Sequence, residues 1–489
     1  MAISDPDLRR PRGWALLTWE RPRPDLIRTR PWAWRLAVAT VCFGAFMGQL
    51  DASIVTLTYQ ALRGQFHTPL AAVQWVSLAY MLALVALLIP VGRLSDAHGR
   101  KLMYLYGFAL FTAASAACGL APTLTLLIVF RVLQAAGAAM LQANSVALVT
   151  TSAPPNKMRT ALGMQAAGQA IGLALGPTIG GALVDTIGWR WVFGINVPVG
   201  IIALIAGHYL LPRTRQRSTT NRVDLPGILL LATSTTALLL GLSVASGLGL
   251  PQWATAVLLT LAVTAGWAFV RRQARTTNPL VDLALLRSGG ISPGLFGGLC
   301  AYLVLFGPLV LVPIGLARQG VGALTSGLIL TALPVGFAVA ATLADRVLPP
   351  GWGNRARSRT GALGCVLALG LMALLPLREA LLPAPLVLLG LSLGVFLPAN
   401  NTAVMRAIPT AASGTGGGMV NMTRGLGTAL GVAAVTLTLH LAPGTAGLTA
   451  AFAVLAAFAL LALATVARPA SPESGSGGSS GGADASFEL

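Results

Sequence analysis

Fourteen runs of mostly apolar residues, each roughly 20 residues long, punctuate this chain, and they restrict its fold more than any other feature. They cover 36–57, 71–91, 102–120, 124–149, 160–184, 192–211, 224–245, 252–270, 292–316, 323–345, 360–377, 384–405, 413–439 and 447–467. Each has the length of a helix that crosses a bilayer. Hydrocarbon offers no partner for backbone amides, so a crossing segment must close its own hydrogen bonds as an α-helix. The chain therefore reads as an all-α integral membrane protein. Only 10% of its residues are charged and 55% are hydrophobic, against about 25% charged in a soluble protein.

The net charge of +19 does not point to nucleic acid, because the arginines lie in short gaps between apolar runs and not on a soluble domain. They set an orientation instead. With the N-terminus inside, 27 of the 33 Lys and Arg fall in cytosolic loops and tails, four (Arg63, Arg190, Arg318, Arg378) fall outside, and Arg131 and Arg424 lie within runs. That asymmetry follows the positive-inside rule. An even count returns the C-terminus to the cytosol, so both termini are expected there. Residues 1–35 carry eight arginines and read as a cytosolic tail with a short surface helix around Trp14 to Trp19. Residues 468–489 are rich in Pro, Ser and Gly and read as a disordered tail. Gly477, Ser479 and Gly481 match a hydrolase elbow by letter, but no strand precedes them.

The chain divides into two weakly similar halves. The gap after the second run reads Gly92-Arg-Leu-Ser-Asp-Ala-His-Gly-Arg-Lys101, and the gap after the tenth carries Leu343-Ala-Asp-Arg346 and a cluster of arginines up to Arg359. Runs five and thirteen are both glycine-rich. Setting aside runs seven and eight leaves six plus six, with expected divisions at 36–211, 212–291 and 292–467. Repeated halves around a central cavity are a transporter architecture. Cys42, Cys118, Cys300 and Cys365 are far apart and read as reduced packing residues, and the four histidines form no cluster. No metal or organic cofactor is expected.

Within run five, Gly168, Gly172, Gly176 and Gly180 recur every four residues and share one helix face. Such a face admits close backbone approach, and Pro177 is expected to bend the helix. A static packing face and a pivot between bundles both fit. Four further patterns stand in order: Leu50-Asp-Ala-Ser-Ile-Val55; Gly92, Asp96, Gly99, Arg100 and Lys101; Arg131-Val-Leu-Gln-Ala-Ala-Gly137; and Trp189-Arg-Trp191 followed by Asn196-Val-Pro198. Together with Gly176-Pro177-Thr-Ile-Gly180-Gly181, they make the chain resemble the fourteen-helix drug:proton antiporters of the major facilitator superfamily over nearly all of residues 36–467. The resemblance implies two six-helix bundles with two extra helices between them, an antiporter motif (Gly172, Gly176, Pro177, Gly180, Gly181) in the fifth helix, and a cytosolic gating loop built from Gly92, Asp96, Gly99, Arg100 and Lys101.

Asp51 is the one acidic side chain well inside any run, and an ionisable group at membrane depth marks a functional site. Counted at about 1.5 Å per residue, Asp51 and Arg131 reach similar depth. They are expected to meet across the cavity, with Asp51 carrying the coupling proton once the pair loosens; the plainer alternative is a structural ion pair between helices one and four. Cavity candidates are Gln134 and Gln142 on run four, Gln165 and Gln169 on run five, Asn400 and Asn401 on run twelve, and Asn421 and Arg424 on run thirteen, with Gln74, Trp75 and Tyr80 toward the outer mouth. Exporters of cations in this family carry several intramembrane carboxylates. One carboxylate against two arginines favours neutral, amphipathic or anionic substrates.

The expected activity is proton-coupled export of a small organic compound, a drug, antibiotic or amphipathic metabolite, by alternating access across a bacterial cytoplasmic membrane. The chain is expected to act as a monomer with protons, substrate and lipid as its partners and without ATP hydrolysis. The rivals are a proton-coupled uptake symporter or lipid transporter of the same fold, and a membrane-embedded enzyme. No Walker loop or zinc-binding His pair supports the last.

Overall fold

The computed structural model describes residues 23–25, 30–68, 70–213, 224–245, 251–277, 279–287, 290–321, 323–374, 378–442 and 444–467. The helix expected around Trp14 to Trp19 and the tail from Arg468 lie outside the described residues. Among those described, the chain is helical throughout, with a helix at each of the fourteen apolar runs. These are α1 (Ala33–Ile54), α2 (Leu70–His98), α3 (Arg100–Gly119), α4 (Leu124–Ser152), α5 (Met158–Thr186), α6 (Asn196–Leu210), α7 (Leu225–Ala245), α8 (Gln252–Gln273), α9 (Ile291–Ala317), α10 (Ala323–Val347), α11 (Asn354–Leu374), α12 (Pro383–Ala407), α13 (Ser413–Leu441) and α14 (Thr445–Ala467).

Twelve helices among the described residues are long and apolar enough to cross a membrane. The expected fourteen crossings are thus met by twelve on length and apolarity. The two outside that set are α5 and α11. α5 carries Gln165 and Gln169 within its length, and α11 opens with Arg355, Arg357 and Arg359.

Glycines decide how α5 packs. A Cβ on Gly172 would stand 2.5 Å from the Phe46 carbonyl oxygen of α1, and one on Gly168 3.3 Å from that of Cys42. Gly176 meets Ser53 just as tightly. Only a bare backbone lets α1 and α5 come this close. Gly181 meets nothing within 4 Å, so this member of the motif is not a packing position. At its other end α5 crosses to the second half, where Gly163 abuts the Ala341 carbonyl of α10. The side chain of Pro177 lies outside the described residues.

α13 repeats this arrangement with the halves exchanged. Its Gly427 and Gly431 pack on Leu299 and Leu303 of α9, while Gly417 and Gly418 pack on Ala143 of α4 and Leu88 of α2. Each half's apolar core therefore contains part of the other's crossing helix. Ala167 and Ala170 of α5 sit among residues of α9–α14, and Met419 and Val420 of α13 sit among residues of α1–α4. α7 and α8 pack on each other, and α7 also lies against α2 and α13. Asp224 ties the α7–α8 pair at one end: it accepts from Arg272 (2.8 Å), Gln273 (3.0 Å) and the Gly227 amide (3.1 Å). Burial raises its carboxyl, but these hydrogen bonds outweigh that and hold it below the ordinary value.

Candidate functional site

Four helices converge on Asp51, which is wholly buried near the end of α1. Its Oδ2 accepts from Arg131 Nη1 of α4 at 2.7 Å. Its Oδ1 accepts from Gln134 Nε2 at 3.0 Å and from Asn196 Nδ2 of α6 at 2.9 Å. Arg131 is held in turn. It donates to the Val76 carbonyl of α2 (3.2 Å) and to Gln134 Oε1 (2.6 Å), and its guanidinium lies 4.0 Å from the Tyr80 ring centroid. Ser115 of α3 takes a hydrogen bond from Gln134 at 2.5 Å. A buried ion pair is tolerable when its remaining lone pairs and protons are satisfied, and here the surrounding amides and the Tyr80 ring do that.

The cluster forms one wall of a cavity of about 240 Å³ between the halves, lined by Arg131, Tyr80, Gln142, Phe306, Arg424 and Thr428 among others. Arg424 of α13 is 5% exposed. It hydrogen-bonds the Gln142 side-chain oxygen, and among the described residues no carboxylate pairs with it. Asn421, one turn earlier, donates to the Gln142 carbonyl at 2.7 Å. These two contacts join α4 of the first half to α13 of the second.

The other cavity candidates lie elsewhere. Gln165 bonds Ser145 at 2.8 Å between α5 and α4. Asn400 is bound to the Gly294 carbonyl at 2.8 Å inside the second half, and Gln169 and Asn401 are buried. Gln74 lines a separate groove, and Trp75 packs among apolar residues of α2, α7 and α13. Of the eleven candidates, Tyr80, Gln142 and Arg424 line the central cavity. Asn196 and Ser115 complete the Asp51 cluster; from sequence Asn196 stood only in the Asn196-Val-Pro198 pattern and Ser115 was not singled out, because an uncharged polar residue in a membrane helix carries no strong signal of its own.

At the arginine-rich end the halves are bolted together. Asp96, at the end of α2, accepts from the Gly414 amide (2.8 Å) and the Thr415 amide and hydroxyl (each 2.8 Å), so it caps the N-terminus of α13. Arg100 pairs with Asp96 at 3.0 Å and also reaches the Thr410 carbonyl at 2.6 Å. Gly99 enters α3 at φ 104°, a backbone region that favours glycine. Gly92 lies directly against Gly414. Lys101 stays within its own half, donating to the carbonyls of His208 (2.9 Å) and Leu211 (2.8 Å).

A second bolt has the same plan and was not anticipated as one. Asp345 of α10 takes Arg159 (2.9 Å) and Thr160 (2.5 Å) from the start of α5, and Arg357 (2.6 Å) from its own half. Arg406 adds a hydrogen bond to the Pro155 carbonyl at 3.0 Å. The signal was present in Leu343-Ala-Asp-Arg346, read only as internal symmetry.

Comparison with known proteins agrees with this architecture. The sequence profile of the Major Facilitator Superfamily matches residues 41–432. A tetracenomycin C resistance and export protein of Streptomyces glaucescens is 39% identical over 268 residues, which are 55% of this chain and 49% of that one. The riboflavin transporter RibZ of Clostridioides difficile is 30% identical over 401 residues, 81% of this chain and 86% of that one. The crystal structure of the human organic anion transporter MFSD10 superposes with a TM-score of 0.67 over 90% of this chain and all of its own, at 17% identity, a likeness of fold.

Proposed function

This chain belongs to the Major Facilitator Superfamily, and as such is a multi-pass membrane transporter and not an enzyme; from that premise we propose that it exports a small organic compound in exchange for protons. The observation that carries the reading is Asp51, a wholly buried carboxylate paired with Arg131 on the wall of the cavity between the halves. The kinship with an antibiotic resistance and export protein supports the direction. We read all fourteen long helices as crossings, with α5 and α11 included because both are built into the bundles, and both termini as cytosolic because the arginine-rich loops share one end.

On this reading the bolts at Asp96 and Asp345 close the cytosolic side, and the molecule faces outward. A proton reaching Asp51 neutralises it and removes the charge that holds Arg131. The freed guanidinium borders the same cavity and, turned into it, fills space that a substrate would occupy. Proton and substrate then occupy the site in alternation, which is the condition for exchange.

Electrostatics narrows the substrate. A proton on Asp51 adds positive charge to the cavity, which would draw an anion in and not expel it. Exchange with protons therefore fits an uncharged, acceptor-bearing compound. The second reading follows from Arg424, a buried cation that no carboxylate pairs with among the described residues: if the substrate is an anion, proton and substrate travel together and the protein is an uptake symporter.

Inside-out vesicles with an acidic lumen and a quenched pH dye separate the two. Uncharged amphiphiles that restore fluorescence with the wild type and not with Asp51→Asn support export by exchange. No response of the wild type to any compound overturns export by exchange, and a response unchanged in Asp51→Asn overturns the assignment of the coupling proton. Proton flow only with anions, and only in the uptake direction, replaces export by the second reading.

A further inference from the structure

The central cavity does not end at α2 and α13. Met81 and Thr428 line it and also line a second groove of about 300 Å³, closed on its far side by Leu239, Leu242 and Ser243 of α7. Leu78 and Val432 complete its largely aliphatic wall. The groove thus gives α7, one of the two helices that lie outside the six-plus-six scheme, a face on the substrate path.

In the central cavity, polar groups are left waiting. Among the described residues the buried Tyr80 hydroxyl has no hydrogen-bond partner, in a residue 1% exposed that lines the central cavity. A buried donor without an acceptor is costly enough that native structures rarely keep one without reason. Arg424 lines the same cavity with only the neutral Gln142 amide against its charge among the described residues. Asp51 is already engaged by Arg131, Gln134 and Asn196. An acceptor oxygen is what this cavity lacks.

We propose that the two spaces form one bipartite site for an uncharged amphiphile, whose carbonyl oxygen accepts from Tyr80 and Arg424 and whose apolar body runs over Met81 into the groove against α7. The proposal rests on the export reading for its substrate charge, but it concerns binding alone. Specificity then divides by place: head chemistry at Tyr80 and Arg424, body length at α7.

The test uses the full-length protein in phosphatidylcholine nanodiscs and three dyes, 6-acetyl-, 6-hexanoyl- and 6-hexyl-2-(dimethylamino)naphthalene. The acyl pair differ in tail length; the hexyl dye has no carbonyl. Emission of the acyl dyes shifts to the red when their carbonyl accepts a hydrogen bond. The wild type is expected to bind the hexanoyl dye tightest, red-shifted, and the hexyl dye at least about tenfold more weakly. Tyr80→Phe keeps the ring beside Arg131, and Arg424→Gln keeps a polar side chain. Each should weaken both acyl dyes by about three- to tenfold and reduce the red shift. Leu242→Trp fills the groove and should weaken the hexanoyl dye about tenfold or more while leaving the acetyl dye unchanged.

Leu242→Ala, which widens the groove, should change only the hexanoyl dye as well, and melting temperatures of all variants identify any that fail to fold. Equal effects of Leu242→Trp and Leu242→Ala on both acyl dyes, a hexyl dye bound as tightly as the hexanoyl dye, or no binding of either acyl dye would each overturn the proposal. No proton gradient is used. Selective binding with a silent vesicle assay would overturn export and leave the site standing, and the reverse result would do the opposite.

Discussion

Replacing Asp51 removes the only described counter-charge of a fully buried arginine. Breaking one side of a buried pair costs about 3–5 kcal/mol, because the remaining charge stays uncompensated. Asp51→Asn should therefore lower the unfolding temperature as well as proton exchange. Asp51→Asn combined with Arg131→Gln removes both charges and should recover most of the stability. If Asp51 carries the proton, exchange stays absent in the double variant; if the pair is only a helix clamp, exchange returns with stability. Thermal unfolding and vesicle proton flux on the same preparations decide between these. Asp51 and Arg131 were legible in the sequence because a charge inside an apolar run is expensive. Their satisfiers, Gln134, Asn196 and Ser115, were not assembled from sequence, since side-chain amides and hydroxyls recur throughout membrane helices. Asn400 carries the same ambiguous signal: its amide nitrogen donates to a backbone carbonyl inside one half.

The glycine pattern of α5 contains two kinds of position. A methyl on Gly172 would collide with the Phe46 backbone, whereas one on Gly181 would meet open space. Gly172→Ala should force α1 and α5 apart at a cost of about 1–3 kcal/mol, and transport should fall with it. Gly181→Ala should leave stability and transport near wild type. A folded Gly181→Ala protein that cannot transport would instead mean that the glycine serves motion. The sequence spacing of four was enough to find the face but not its extent, because periodicity says nothing about where the neighbouring helix ends. The α7–α8 pair offers a separate prediction. Asp224 has a carboxyl held low by its hydrogen bonds, so its contribution is complete above the ordinary carboxylate value and is lost only as the pH falls through the lowered one. The protection of the Leu280 and Val281 amides against hydrogen exchange, taken relative to the intrinsic rate at each pH, reports this: both are bound by Gln273, so their protection should stay constant between about pH 5 and 8, and fall at every pH in Asp224→Ala.

Apolar runs located every long helix, yet they could not say which helices meet. A residue facing lipid and one facing another helix are equally apolar, so pairings such as α5 with α10 and α13 with α2 leave no trace except glycines. The same ambiguity hid the equivalence of the two bolts. Asp96 and Asp345 each reach the start of the glycine-rich helix of the opposite half, and both stand at the arginine-rich end. They differ in depth: the Asp96 side chain is 2% exposed and receives two backbone amides, whereas that of Asp345 is 25% exposed and receives side chains alone. Hydrogen bonds to a buried charge are worth about 1.5–3 kcal/mol each, and solvent weakens the more exposed set. Asp96→Ala should therefore open this end more than Asp345→Ala. Spin labels at the exposed residues Asn156 and Val347, on opposite halves, would report it as a growing population of longer distances. That population should rise by about tenfold or more for Asp96→Ala, by less for Asp345→Ala, and furthest for the double variant. Equal distance distributions in all four proteins would mean that the halves are held by the crossing helices α5 and α13 and not by the bolts.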